Sequence, residues 1–232
     1  MKTHDEIKAE IEQILKTQWG RREGRAVPEA EDVQLGNDAV ELDATVLYAD
    51  MADSTGLVTG YKDWFAAEVY KAYLRGACEL IKNNEGVITA FDGDRVMAVY
   101  IGGQKNTNAA KTALQITYLA TKMINPALKA EYPTSAFQLG QAVGIDTGKL
   151  LVARTGVRGA NDLVWVGRAA NFAAKLCTLR DGVYSSFITE EVFNAMHDSS
   201  KFGGENKQLM WEKIMWTQRG IPVYRSSWQW KP

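Results

Sequence analysis

Two apolar runs, V87-I-T-A-F91 and R95-V-M-A-V-Y-I101, flank Asp92-Gly93, a dipeptide that closes tight two-residue hairpins, so this stretch is committed to two antiparallel neighbouring strands. Asp94 then sits just past the turn, entering the second strand. Upstream, A44-T-V-L-Y-A-D50 lacks helical spacing and fits a buried strand ending on a carboxylate. Alternation by two places Tyr48 and Asp50 on one face of it. Two carboxylates delivered by neighbouring strands suit a hard divalent cation. The next residues, A52-D-S-T-G56, read as a strand-to-helix loop rich in cap formers, and backbone N–H groups at a helix start can bind phosphate oxygens. Cation and phosphate sites would therefore adjoin. Taken singly, each piece has a purely structural explanation, since a D-G turn needs no ligand and Asp53 or Asp92 could serve as cap or turn residue.

Around these strands the apolar spacing alternates between strand and helix. Trp64, Val69, Tyr73, Leu74, Ala77 and Leu80 recur at helical intervals before Asn83-Asn84-Glu85-Gly86, and an alanine-rich helix is predicted over 106–130. F137-Q-L-G-Q-A-V-G-I145 then alternates. The order β-α-β-β-α-β predicts an α+β fold, a ferredoxin-like antiparallel sheet with helices on one face. A C-terminal extension follows: strands near 150–153 and 163–166, a helix over 168–179, and a closing hairpin around Arg219-Gly220 whose tryptophans belong to the core or a dimer surface. Asn171 and Lys175, four apart, share a face of that helix. Residues 1–40 read as an amphipathic helix, with Ile7, Ile11, Ile14 and Leu15 on one stripe, plus a connector. Residues 41–232 read as the main folded domain.

Composition narrows the function. The 232 residues are 46% hydrophobic and 24% charged, enough to bury a core, and the net charge of −1 offers no overall basic field for nucleic acid or an anionic membrane. A small-molecule substrate is favoured. The cluster Arg21, Arg22 and Arg25 reads as a solvated face. Cys78 and Cys177 lack metal-ligand spacing and read as buried reduced thiols, and His4 and His197 are isolated, so no histidine-based catalysis is expected. No apolar run reaches the length of a membrane span and the charged N-terminus lacks a signal-peptide core, which predicts a cytoplasmic protein with no membrane span.

The chain resembles the class III nucleotidyl cyclase catalytic domain. Y48-A-D-M-A-D-S-T55 matches the family's F-A-D-I-x-G-F-T, D92-G-D94 its I-G-D, and G144-I-D-T-G148 with V166-G-R-A-A-N-F-A-A-K-L176 its downstream G-x-x-V-N-x-A-A-R-L. The resemblance implies two Mg²⁺ or Mn²⁺ ions held by Asp50 and Asp94, with the Met51 carbonyl as an extra ligand. It implies backbone amides around Asp53, Ser54 and Thr55 for the triphosphate, and Asn171 to orient the ribose. Lys175, where the family usually has Arg, would stabilise charge on the α-phosphoryl group. Class III sites lie between two chains, and this chain carries both sets of residues, so a symmetric homodimer with two composite sites is implied.

Within the family, G36-N-D-A-V-E-L-D-A-T-V-L-Y-A-D-M-A-D-S-T55 is similar to the bacterial pyrimidine cyclases of antiphage defence, the Pycsar cyclases. Purine cyclases read the base with a polar pair at the positions occupied here by Ala90 and Val164, and neither side chain can hydrogen-bond a base edge. Unpaired buried purine groups would cost about 1–3 kcal/mol each. Tyr48, beside Asp50, could shrink the pocket and offer its hydroxyl to a smaller ring. The expectation is a cyclase taking UTP ahead of CTP, producing cyclic UMP or cyclic CMP for a separate cyclic-nucleotide-activated effector. The alternatives are an adenylate or guanylate cyclase, or a non-catalytic nucleotide-binding sensor. Retention of both aspartates argues against the sensor, and the G-G-[DE]-E-F hairpin of diguanylate cyclases is absent.

Overall fold

A computed structural model describes residues 2–179 and 181–232. In chain order the elements are α1 (His4–Lys16), β1 (Gly20–Glu23), β2 (Asp38–Ala52), α2 (Ser54–Gly60), α3 (Asp63–Asn83), β3 (Val87–Asp92), β4 (Arg95–Tyr100) and α4 (Lys105–Tyr118). A π-helical stretch, Leu119–Ile124, joins α4 to α5 (Asn125–Glu131), and β5 (Gly140–Val157), β6 (Ala160–Val166), α6 (Arg168–Leu176), β7 (Ser186–Thr189) and α7 (Glu190–Ala195) follow. Four short strands close the chain: β8 (Phe202–Gly203), β9 (Gln208–Leu209), β10 (Glu212–Trp216) and β11 (Ile221–Ser226).

The larger of two compact units comprises Ala44–Gly148 and Arg168–Pro232. Its sheet has the order β10-β11-β7-β5-β2-β4-β3. Within it β2-α3-β3-β4-α4-β5 is the expected βαββαβ core, with strands ordered β5-β2-β4-β3. The extension makes the sheet mixed rather than antiparallel, because β7 pairs with β5 in parallel. Odd-numbered residues of the two central strands, Leu47, Ala49, Met51, Val143 and Ile145, join Val69, Tyr73, Ala113 and Ile116 of α3 and α4 in the main core. The opposite face holds a second cluster, Ala142, Leu176, Phe187, Trp216 and Val223. Trp216 and Trp211 of the closing segment are both core residues.

The smaller unit combines the N-terminal residues through Asp43 with Lys149–Gly167. Here β1 runs parallel to the start of β2, and the outer half of β5 pairs with β6. Thr3 and Glu6 form a capping box at the start of α1, yet no residue of that helix is buried and Leu15 is 80% exposed. Two arginines of the connector are ion-paired at the surface, Arg21 with Glu41 at 3.3 Å and Arg22 with Asp38 at 2.9 Å.

Four local expectations are revised. Gly93 and Asp94 form the hairpin turn, because Asp92 pairs with Arg95 across it and only Gly93 (φ +61°) takes the left-handed conformation. The strands expected at 137–145 and 150–153 are one continuous 18-residue strand, β5. The helix expected over 106–130 passes through the π stretch just ahead of Pro126, whose missing N–H breaks the i→i−4 ladder. Cys78 is only partly buried, whereas Cys177 is fully so.

Candidate active site

Since Leu47, Ala49 and Met51 enter the helix-side core, Tyr48 and Asp50 emerge on the other face of the sheet. The β2–β4 register sets Tyr48 across from Met97 and Asp50 across from Arg95. Asp94, the residue before Arg95, is thereby brought to the same end of the sheet as Asp50. Arg95 itself was not singled out from sequence. Its guanidinium lies 5.2 Å from the Tyr48 ring centroid and donates to Asp92 at 2.5 Å. Burial pushes the Tyr48 hydroxyl up, opposed by the positive charge of Arg95. Burial alone would lower Arg95, but the hydrogen bond to Asp92 and the negative charges of Asp92 and Asp50 hold it above its ordinary value. Its position just after the turn is visible in the sequence, but its place opposite the carboxylate of β2 comes only from the β2–β4 register.

Strand β2 runs through Ala52 and α2 begins at Ser54, so Asp53 is the whole of the connecting loop. It occupies the position of the family motif's glycine and adopts the left-handed conformation (φ +55°), which Asp tolerates better than most residues. Its carboxylate accepts from the Gly56 N–H at 3.2 Å, so one amide of the loop already has an anionic partner. Ser54 is half-buried and Thr55 exposed.

Among the described residues, no three His, Cys, Asp or Glu side chains gather into a cation site. The donors that the motif resemblance points to are the Asp50 and Asp94 carboxylates and the Met51 carbonyl. That sparse, all-oxygen set fits Mg²⁺ or Mn²⁺, which complete their shells with water and substrate phosphates, and does not fit a four-ligand zinc site.

Ala90 lies on β3 opposite Met97, directly after a register shift between Ile88 and Ala90 that re-aims the side chains beyond it. Val164, in the smaller unit, pairs with Ala153 on β5 and is partly exposed.

Helix α6 lies on the Tyr48–Asp50 face of the sheet. Its Ala169, Ala170, Ala173 and Leu176 are buried, while Asn171 and Lys175 are exposed on its outer side. Gly144 of β5 permits this close seating. Cys177, just past the helix, bears electrostatically on both Tyr48 and Arg95. The structure thus gathers Tyr48, Asp50 and Asp94 at one sheet end and presents Asn171 and Lys175 outward from α6.

No protein-family model matches the chain. Among solved structures it superposes on a bacterial light-regulated adenylyl cyclase with a TM-score of 0.70 at 21% identity, over 83% of this chain and 54% of that longer one. It superposes on the guanylyl cyclase Cya2 with a TM-score of 0.67 at 16% identity, over 83% and 95% of the two chains. The fold is therefore that of the class III nucleotidyl cyclases. By sequence it is 46% identical over 229 residues to a uridylate cyclase of Xanthomonas perforans, covering 98% of this chain and 97% of the relative. It is 43% identical to a uridylate cyclase of Burkholderia cepacia, covering 97% of each. The chain belongs to the uridylate cyclase family.

Proposed function

We propose that this protein converts UTP to 3′,5′-cyclic UMP and pyrophosphate. The observation that carries the reading is its near full-length identity with proteins named uridylate cyclases. Non-polar side chains at Ala90 and Val164 support a pyrimidine rather than a purine base. Tyr48, partly buried beside Asp50, would limit the pocket and face the ring.

In the reaction the ribose 3′-hydroxyl gives up its proton to solvent and attacks the α-phosphorus of the same molecule, a new P–O bond forms, the bond from the α-phosphorus to the oxygen bridging to the β-phosphate breaks, and pyrophosphate leaves with that oxygen. Asp50, Asp94 and the Met51 carbonyl would hold two divalent cations. Bound there, the cations supply Lewis acidity toward the attacking hydroxyl and the phosphate oxygens. The amides of Asp53, Ser54 and Thr55 would receive the triphosphate, with the Asp53 carboxylate limiting how many amides are free to do so. Asn171 would orient the ribose, and Lys175 would place a point charge against the α-phosphoryl oxygens as negative charge develops there.

The outward projection of Asn171 and Lys175 supports a homodimer in which each site takes its cation ligands from one protomer and this pair from the other. The catalytic machinery would lie in residues 41–232, with residues 1–40 accessory to it. Among the described residues no helix is long and apolar enough to cross a membrane, which fits a cytoplasmic enzyme. By the Pycsar resemblance, the product would act as a second messenger that switches on a separate effector during phage infection.

Incubating the pure protein with each of the four ribonucleoside triphosphates and Mn²⁺, and identifying products by mass, tests the reading. Cyclic UMP is expected to form fastest. Faster formation of cyclic AMP or cyclic GMP would replace it with a purine cyclase.

A further inference from the structure

Helix α6 is nine residues long, too short to hold itself, and most of its buried face is alanine. Its large apolar anchors lie beyond the first turn: Leu176, in one cluster with Phe187 and Trp216, and Phe172, whose ring centroid is 5.6 Å from that of Trp216. The N-terminal end is held differently. Arg168, the first residue of the helix, donates through Nε to Asp146 Oδ2 at 3.2 Å and through Nη2 to Asp146 Oδ1 at 3.3 Å. Asp146 is wholly buried on β5, and Thr189 Oγ1 donates to its Oδ1 at 2.6 Å. Nη2 of Arg168 also meets Glu191 at 2.6 Å, and its guanidinium lies 4.9 Å from the Phe172 ring centroid.

This arrangement runs against two local preferences. A cation at a helix N-terminus opposes the helix dipole, and a buried carboxylate costs free energy that a well-packed apolar pair would not. Local rules broken together in this way mark a site where orientation matters more than stability. What the tether orients follows from helix geometry: Arg168, Asn171 and Lys175 lie at i, i+3 and i+7, one stripe of α6. A bidentate fork restrains rotation about the helix axis, which a single apolar contact does not.

We propose that Asp146 and Arg168, braced by Thr189 and Glu191, are positioning residues of the cyclase reaction, setting the rotation of α6 and hence where Asn171 and Lys175 meet the nucleotide. The inference rests on the roles given to Asn171 and Lys175 above. Displacement of reacting groups by about 1 Å can cost on the order of a hundredfold in rate, so a loosened tether should be read in turnover.

The test compares Arg168→Met and Arg168→Lys, each in the wild-type and Asn171→Ala backgrounds, by kcat and KM for UTP with Mn²⁺ and by thermal unfolding. In the wild-type background Arg168→Met is expected to lower kcat by roughly tenfold to a hundredfold, with KM within about threefold. Arg168→Lys, which keeps the charge but not the fork, is expected to recover part of the loss. In the Asn171→Ala background either substitution should cost at least about fivefold less than in wild type, because a positioning residue has less left to position. Equal losses in both backgrounds, or unchanged kcat with a lowered unfolding temperature, would overturn the proposal; if Arg168→Met does not fold, Arg168→Lys alone decides by the same criterion. An Asn171→Ala enzyme working at the wild-type rate would instead remove the site reading on which the inference stands.

Discussion

A Cβ added to Gly144 would stand 2.2 Å from the carbonyl oxygen of Ala173, so β5 and α6 meet backbone to backbone at that point. The amide nitrogen of Cys177 would be 2.3 Å from the same atom. Both obstacles are main chain and cannot rotate away. Gly144→Ala should therefore push α6 off the sheet, destabilising the protein by about 1–3 kcal/mol, as overpacking generally does, and lowering cyclase turnover as well. Urea unfolding and steady-state kinetics of the variant check both effects. Wild-type stability and turnover would mean that the helix seating is not tight.

Asp50→Ala and Asp94→Ala should each lower turnover by at least about 10²–10³, since under the proposed mechanism each removes a cation ligand and with it transition-state charge stabilisation. Circular dichroism should show the fold retained, because both residues lie at the end of the sheet outside the main core. Activity within about tenfold of wild type in either variant would take that residue out of the cation site.

Under the proposed homodimer, an Asp50→Ala protomer and an Asn171→Ala protomer would lack opposite halves of each composite site. Mixed, they should recover about one working site per heterodimer, because one of the two sites then receives both intact halves. Mixtures in which heterodimers form but activity stays at the parental level would exclude a site shared between chains.

Tyr48→Ala should widen the base pocket and erode selectivity for UTP over ATP and GTP. Ratios of kcat/KM for the three substrates measure this directly, and a hydrophobic-pocket change of this size is worth roughly 1–3 kcal/mol of discrimination. Unchanged ratios would place base selection elsewhere.

A pH effect is expected in the smaller unit. The Gln34 N–H at 3.0 Å and the Arg22 guanidinium at 2.9 Å hold the Asp38 carboxyl below the ordinary carboxylate range. The folded state thus binds that proton less readily than the unfolded chain. The stabilisation is fully present above the ordinary Asp value and is lost as pH falls through the depressed folded one. Asp38→Asn should be less stable than wild type at pH 7, with the gap closing at an acidic pH below the depressed folded value. Urea unfolding of both proteins at the two pH values reads the difference; a gap independent of pH would assign the loss to something other than ionisation.

The hairpin, the alternation that separates Tyr48 and Asp50 from Leu47 and Ala49, and the βαββαβ order were legible in the sequence, because turn chemistry and periodicity act between residues a few positions apart. The details that were missed depend on distant partners. Which residues occupy the turn at Gly93-Asp94 follows from the Asp92–Arg95 pairing, and β5 continues unbroken because its two halves pair with different strands. Arg95 gained its place beside Tyr48 only through the register of β4 on β2. Asp146 and Arg168 are 22 positions apart and meet only because Gly144 lets α6 lie on β5. The sequence by itself determined which residue types stand at the positions proposed to bind cations, phosphate and ribose, since chemistry belongs to residue type and local spacing. Only the tertiary structure decided which way they point, because the orientation of a short, alanine-faced helix is set by contacts from strands far along the chain.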